Sequence, residues 1–260
     1  MIEGLAAFRD AFADYGNDYV LIGGIPTVVW FEVQGLTARA TRDFDMVIFT
    51  GPGSTVFRKR LWQFIREGEY EHSHKDDGRR SYYRFAKPAA AGFPFMIELF
   101  SQAPSELELK GSSTITPIPA DADASSLSAI LMDDEYHRIV REQRVDHEGL
   151  SLLSPAGLIL LKAKAWLDLC ERQAQGEAID SRSIKKHRGD VFKLATLLAP
   201  ENHMPISPAV HRDLHAFLDC FPEDSPDWAG IRASARMGNL MPPPRELRAL
   251  IVDYFPPDSV

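Results

Sequence analysis

The segment from Thr41 to Phe49 constrains the fold more than any other part of the chain, because it predicts a β-strand with two carboxylates on one face. Strand side chains alternate, so Asp43 and Asp45 are expected to point to one side and the apolar residues between and after them to the other. Two neighbouring carboxylates repel each other, and a divalent cation removes that repulsion. Carboxylate oxygens suit Mg²⁺, which in turn binds phosphates. The segment therefore predicts a metal-binding face on a strand whose opposite face is buried.

A pair of glycines, Gly23 and Gly24, directly follows the apolar run Tyr-Val-Leu-Ile at 19–22. The run predicts a buried strand, and Ile25 to Val33 predict a helix with a proline in its first turn, where the missing N–H costs little. Glycines at such a junction let the backbone approach a ligand, and the N–H groups of a helix N-terminus bind phosphate. The glycines and the acids are about twenty residues apart, so a strand, a helix and a return strand are expected to bring them together.

These two segments resemble the first two motifs of the nucleotidyltransferase superfamily, a Gly-Gly or Gly-Ser turn followed by an Asp-x-Asp strand. They are most similar to the AbiEii-like group, the toxin-like members of type IV toxin–antitoxin systems, through Leu-Ile-Gly-Gly at 21–24 and Arg-Ala-Thr-Arg-Asp-Phe-Asp at 39–45. The resemblance implies an α/β (α+β) fold, with a nucleotidyltransferase-like mixed sheet flanked by helices and a mainly helical C-terminal half. It also implies that four residues bind a nucleoside triphosphate (NTP): Gly23, Gly24, Arg39 and Thr41.

A third acid, Glu98, interrupts the apolar strand that is predicted at 93–100. Nucleotidyl transfer needs the charge of the α-phosphate neutralised and the attacking hydroxyl polarised, and divalent ions held by carboxylates do both. Asp43 and Asp45 are the predicted catalytic metal ligands. Glu98 is the candidate third ligand, at a position where the superfamily usually has Asp. A buried carboxylate needs a partner, so a salt bridge to an arginine such as Arg84 is the alternative interpretation.

Two segments in the second half of the chain resemble the third and fourth motifs of the AbiEii-like group. The helix predicted to open at Ser154-Pro155 carries Lys162, which the resemblance implies binds the triphosphate as a point charge. In the segment 186–190, Asp190 matches a catalytic acid that acts as a base or orients Lys162, and Lys186 matches an NTP-binding lysine. The alternatives are a lysine that snorkels from a half-buried helix and an acid that joins two helices by a salt bridge.

The composition is that of an ordinary globular protein, with 45% hydrophobic and 25% charged residues in 260. No apolar run approaches the roughly 20 residues that span a bilayer, so no membrane partner and a cytoplasmic location are expected. A net charge of −8 argues against a surface that binds nucleic acid throughout, although a local basic groove remains compatible with it. The connector-like composition at 111–126 predicts a boundary between a nucleotidyltransferase core at 1–120 and a mainly helical domain at 121–260.

The predicted activity is a transfer of a nucleoside monophosphate from an NTP to a hydroxyl acceptor, dependent on Mg²⁺ or Mn²⁺. The resemblance implies tRNA, protein or small-molecule acceptors, a toxin-like effector role and a partner antitoxin. One alternative is a nucleotide-binding or regulatory module without turnover, which Glu98 and the departure from the fourth motif at His187 favour. Another is a metal-dependent glycosyltransferase, although those enzymes place a larger nucleotide-binding sheet before their Asp-x-Asp. The polar run at 72–77, with two histidines, is predicted to be a hairpin loop rather than a metal site.

Overall fold

The computed structural model describes residues 2–37, 40–49, 54–72, 82–101, 127, 130–131, 133–235 and 237–258. The strands are β1 (Tyr19–Ile22), β2 (Asp43–Ile48), β3 (Glu71–His72), β4 (Tyr82–Ala86), β5 (Met96–Phe100), β6 (Arg144–His147) and β7 (Leu150–Leu153). The α-helices are α1 (Leu5–Phe12), α2 (Gly24–Val33), α3 (Ser54–Glu67), α4 (Asp134–Glu142), α5 (Pro155–Ala174), α6 (Ser181–Ala195), α7 (Pro208–Asp219), α8 (Asp227–Ala235) and α9 (Pro244–Tyr254).

The chain divides into two compact units. The first comprises Met1–Gln34, Ala38–Asp121 and Val140–Leu153, and the second comprises Gly35–Thr37, Ala122–Ile139 and Ser154–Val260. The connector predicted at 111–126, with its boundary at residue 120, lies outside the described residues. So do Arg39 and most of the predicted polar loop, residues 73–77.

The first unit is built around a mixed β-sheet with the strand order β3-β4-β5-β2-β1-β7-β6. Strand β2 runs antiparallel to β1 and parallel to β5, and β7 runs parallel to β1. The mixed sheet with flanking helices confirms the predicted α/β class. The hairpin β6–β7 belongs to this sheet, whereas the sequence analysis placed it in the helical half, because its first strand, Arg-Val-Asp-His, has too little apolar alternation to stand out.

The hydrophobic core of the first unit lies on one face of this sheet, where apolar side chains of α1, α2 and α3 pack on the strands. Phe44 of β2 is fully buried there, and its ring lies 5.3 Å from that of Phe8, measured between centroids. The alternation along β2 turns Asp43 and Asp45 to the other face, where both are half-buried. A shift of one residue would bury these acids in the core, so the core fixes the register of β2.

The second unit is helical throughout its described residues outside loops. Helix α5 begins as predicted, with the Ser154 hydroxyl accepting a hydrogen bond of 3.1 Å from the Gly157 amide. Helix α6 begins at Ser181, and the side chain of Asp180 caps it by accepting a hydrogen bond from the Arg182 amide. No helix of the described residues is long and apolar enough to cross a membrane.

Candidate functional site

The turn between β1 and α2 holds the carboxylate of Asp45 against the backbone of Gly23. Gly23 has φ 71° and ψ −128°, a backbone conformation that residues other than glycine rarely adopt. A Cβ atom at this position would lie 3.0 Å from Cγ of Asp45 and would overlap one of its carboxylate oxygens. The Thr27 hydroxyl donates a hydrogen bond of 2.7 Å to the Gly23 carbonyl and ties the turn to the first turn of α2. Glycine is therefore required here both by the backbone and by the nearby acid.

The second glycine lies against the segment that leads into β2. A Cβ atom at Gly24 would lie 2.6 Å from the hydroxyl oxygen of Thr41, and the same oxygen is 3.5 Å from the amide nitrogen of Asp43. The structure thus brings Gly23, Gly24 and Thr41 together with the two aspartates. Their proposed roles in NTP binding and metal binding stay predictions, as does that of Arg39, which lies outside the described residues.

A row of side chains crosses the sheet beside this turn. Asp45 is paired with Ile22 of β1 on one side and with Glu98 of β5 on the other, and Glu98 is paired with Arg84 of β4. Residues directly opposite each other on neighbouring strands project from the same face. Asp45, Glu98 and Arg84 therefore share the face that Asp43 also occupies.

Glu98 and Arg84 form a buried ion pair. The Nε and Nη2 atoms of Arg84 each lie 2.6 Å from Oε1 of Glu98, and the two side chains are only 9% and 8% exposed. A buried charge of this kind needs a hydrogen-bonded partner of opposite sign. The salt bridge that the sequence analysis raised as the alternative for Glu98 is therefore present, and the role of Glu98 as a metal ligand stays a prediction.

The donor set fits a cation that is held by two carboxylates. No group of three His, Cys, Asp or Glu side chains in the described part of the chain is arranged to hold a metal ion. Mg²⁺ commonly binds through one or two protein carboxylates and completes its coordination with waters and substrate phosphates. Asp43 and Asp45, next to a glycine turn, match that pattern, whereas a site with three carboxylates is not formed among these residues.

The second unit contains the other predicted residues, and they form an ion pair of their own. Lys162 of α5 donates from Nζ to Oδ2 of Asp190 on α6 at 2.7 Å. The lysine side chain is 5% exposed and the aspartate side chain 26% exposed. Lys162 thus ends on a carboxylate rather than in water, which disfavours the snorkelling interpretation. The helix-to-helix salt bridge raised as the alternative for Asp190 is present.

Positive charge around Asp190 keeps its carboxyl group ionised. Burial alone raises the pKa of this carboxyl, but the ion pair with Lys162, followed by the charges of His187 and Lys186, more than offsets that effect. The pKa of Asp190 therefore lies below its ordinary value. Catalytic and triphosphate-binding roles for Lys162, Lys186 and Asp190 stay predictions.

Sequence reasoning missed the contribution of Thr27. Its hydroxyl donates a hydrogen bond to the carbonyl oxygen four residues earlier. Threonines in helices commonly make this bond, so the Gly-x-x-x-Thr spacing in the sequence indicates it. Arg84 was named only as an example of a partner for Glu98. Arg84 becomes the partner of Glu98 because β4 pairs with β5, and the amino-acid sequence alone does not specify that pairing.

Comparison with solved structures gives several similarities, one of them to a nucleotidyltransferase-like protein. Among solved structures, the chain is similar to the crystal structure of an antigenic nucleotidyltransferase-like protein from Paracoccidioides brasiliensis, with 16% sequence identity and a TM-score of 0.45 over 90% of this chain and 95% of that chain. No protein-family model matches the chain, and no curated protein matches it. A similarity at this identity and TM-score does not identify a function, which must be argued from the side chains described above.

Proposed function

We propose that the chain is a nucleotidyltransferase that moves a nucleoside monophosphate from an NTP to a hydroxyl acceptor with the help of Mg²⁺ or Mn²⁺. The observation that supports this most is the contact between the Asp45 carboxylate and the Gly23 backbone, with Asp43 on the same face of β2. Carboxylates next to a glycine turn at a helix N-terminus combine a place for a divalent cation with backbone donors for phosphate.

Each residue of this arrangement has a separate task. Asp43 and Asp45 hold the cation, which when bound neutralises charge on the α-phosphate and polarises the attacking hydroxyl. The first turn of α2, which begins at Gly24, presents backbone N–H groups that have no partner within the helix and suit phosphate oxygens. The fixed turn at Gly23 keeps the Asp45 carboxylate next to those N–H groups, so that metal and phosphate bind as one unit.

The remaining roles in the proposal come from the resemblance to the AbiEii-like group. Arg39 and Thr41 bind the triphosphate, as do Lys162 and Lys186, and Asp190 serves as a base or orients Lys162. The acceptor is a hydroxyl of tRNA, of a protein or of a small molecule. A toxin-like role with a partner antitoxin completes the proposal, and location in the cytoplasm is part of it.

A second candidate is a nucleotide-binding module without turnover. The observation that favours it is the engagement of Glu98 by Arg84, which keeps the third acid out of a three-carboxylate metal site. Such a module would bind NTP in the presence of Mg²⁺ but would release no pyrophosphate.

The proposed function is tested by incubating the protein with each labelled NTP, Mg²⁺ and a cell extract, and measuring pyrophosphate release and the label gained by RNA, protein and small molecules. We expect label and pyrophosphate from wild type, and neither from Asp45→Ala. The matched control is Asp253→Ala, which removes an exposed carboxylate on α9 and should behave as wild type. Equal labelling by wild type and Asp45→Ala would show that the proposed site is wrong. NTP binding without pyrophosphate release would favour the second candidate.

A further inference from the structure

The number of metal ions that this site can hold depends on Glu98. Two-metal sites for phosphoryl transfer hold their ions about 3.5–4 Å apart. Asp43 and Asp45 lie on one strand, and Glu98 is the acid paired directly with Asp45 on the neighbouring strand. Among the described residues of this row, Glu98 is therefore the further carboxylate placed to hold a second ion.

Arg84 already engages that carboxylate. Both Nε and Nη2 of the guanidinium contact the same oxygen, Oε1 of Glu98, at 2.6 Å. Hydrogen bonds between two charged groups are shorter and stronger than neutral ones. Both side chains are buried, at 8% exposure for the Arg84 residue and 6% for Glu98, so water screens neither charge well.

A dication on Glu98 would face two obstacles. It would lie beside the buried positive charge of Arg84, where repulsion is strong because the surroundings have a low dielectric constant. If the guanidinium moved away instead, its buried charge would lose the two short contacts to the Glu98 carboxylate, which is strongly unfavourable. Register pairing between β4 and β5 also holds the two residues opposite each other.

We propose that Arg84 is a positioning residue that limits the site to one divalent cation, bound by Asp43 and Asp45, by holding Glu98 in an ion pair. This inference rests on the proposed function, because it concerns the same metal site. The single cation would complete its coordination with phosphate oxygens and water. Glu98 would not bind the metal but would join β5 to β4 through its ion pair with Arg84.

The test is to count Mn²⁺ ions per chain, in the presence of a non-hydrolysable NTP analogue, from the electron paramagnetic resonance signal of unbound Mn²⁺. We expect one ion per chain in wild type. Glu98→Gln should still bind one ion, with a Kd within about threefold of wild type, whereas Asp45→Asn should raise the Kd at least about tenfold, as changes around metal ligands commonly do.

Variants of Arg84 test whether this residue limits the number of Mn²⁺ ions bound per chain. Arg84→Met should release Glu98 and raise the count to two, and the double variant Arg84→Met/Glu98→Gln should return it to one. The double variant lacks both buried charges, so it folds even if Arg84→Met alone does not; two ions in wild type against one in the double variant would then overturn the inference. One ion in a folded Arg84→Met would overturn the role given to Arg84.

The failure of the inference can be told from the failure of the proposed function. Two ions in wild type, one of which is lost in Glu98→Gln, would overturn the inference and leave the nucleotidyltransferase proposal intact. No Mn²⁺ binding by wild type at millimolar concentrations, with or without the NTP analogue, would overturn both.

Discussion

Two buried ion pairs, one in each unit, differ in how tightly they are held. Arg84 and Glu98 lie opposite each other on neighbouring strands, and neither side chain is more than 9% exposed. Lys162 and Asp190 lie on two helices, and the acid is 26% exposed although the lysine is buried. Solvent barely reaches either side chain of the Arg84–Glu98 pair, which we call the closed pair. Solvent reaches the Asp190 side chain of the Lys162–Asp190 pair, which we call the open pair.

The chemistry of the two cations adds to this difference. A guanidinium is a planar fork that holds a carboxylate in one orientation, whereas an ammonium is a point charge on a flexible stem that exchanges partners readily. The Arg84–Glu98 pair is thus suited to fix the geometry of the sheet, and the Lys162–Asp190 pair is suited to a lysine that changes partners. The comparison predicts an order of effects, from the closed pair to the open one.

The largest effect is expected when the closed pair is broken. Arg84→Met removes the guanidinium that the buried Glu98 carboxylate pairs with, which should lower the free energy of unfolding by about 3–5 kcal/mol. Urea titration followed by circular dichroism measures this loss. Arg84→Met/Glu98→Met removes both charges and should recover most of it. If the free energy of unfolding of Arg84→Met fell by less than about 1 kcal/mol, as for an exposed pair, the pair would not be shielded from solvent as described.

The next effect concerns the rigidity of the glycine turn beside the closed pair. Gly23→Ala strains a backbone with φ 71° and pushes the Asp45 carboxylate aside, so it should lower the free energy of unfolding by about 2–3 kcal/mol and abolish Mg²⁺-dependent NTP binding. The matched control is Gly92→Ala: Gly92 has φ 83°, and, its chain neighbours aside, no atom of the described residues lies within 4 Å of the added methyl group.

The control separates strain from contact. Gly92→Ala should cost about 1 kcal/mol, the backbone contribution alone, and leave NTP binding as in wild type. Thermal unfolding and calorimetric titration of NTP measure both quantities. If the two variants bound NTP equally well, the contact at Gly23 would have no part in the site.

A smaller effect on the free energy of unfolding is expected when the open pair is broken by replacing its buried member, Lys162. Lys162→Met keeps an apolar stem in place and leaves an Asp190 that water can reach, so the free energy of unfolding should fall by about 1–2 kcal/mol, well below the effect at Arg84. Asp190→Asn should be more damaging than Lys162→Met, since it leaves the buried ammonium without a counter-charge. The reverse order, from urea titrations of both variants, would contradict the assignment of the acid as the open side.

The smallest effect is the pH dependence of the open pair. The pKa of Asp190 is lower in the folded protein than in the unfolded chain, so the pair stabilises the fold above the unfolded value of about 3.9. That stabilisation is lost as the pH falls through the lower, folded pKa. The difference in unfolding free energy between wild type and Asp190→Asn should be constant from about pH 6 to pH 5 and narrow below about pH 4. A difference that stayed unchanged at pH 3 would contradict the lowered pKa.

Local patterns predicted elements of both units, because they depend on neighbouring residues. The alternation along residues 41–49 predicted β2, which the structure forms over Asp43–Ile48, and its two faces. Ser154 before Pro155 predicted the start of α5, since capping depends on a few neighbouring atoms. The hairpin β6–β7 was not predicted as part of the sheet. Its place depends on pairing with β1, a long-range contact that its own residues do not encode.

The site divides in the same way between local and long-range information. The carboxylates, the glycines and the candidate acid Glu98 were predicted from strand alternation, from an acid that interrupts an apolar strand and from the resemblance to nucleotidyltransferase motifs. The contact of Gly23 with Asp45 and the choice of Arg84 as the partner of Glu98 depend on how β1, β2, β4 and β5 are aligned. Registers of this kind are set by the whole core, so a sequence motif indicates which residues belong to a site but not which charges cancel within it.

The most direct test of the proposed metal–triphosphate site is calorimetric titration of NTP into wild type and into Asp43→Asn/Asp45→Asn, each with Mg²⁺ and with a chelator. We expect Mg²⁺ to tighten binding to wild type at least about tenfold, because the aspartates and the phosphates share one cation, and to have no such effect on the variant. Equal affinity of wild type with and without Mg²⁺, or an undiminished Mg²⁺ effect in the variant, would contradict the account.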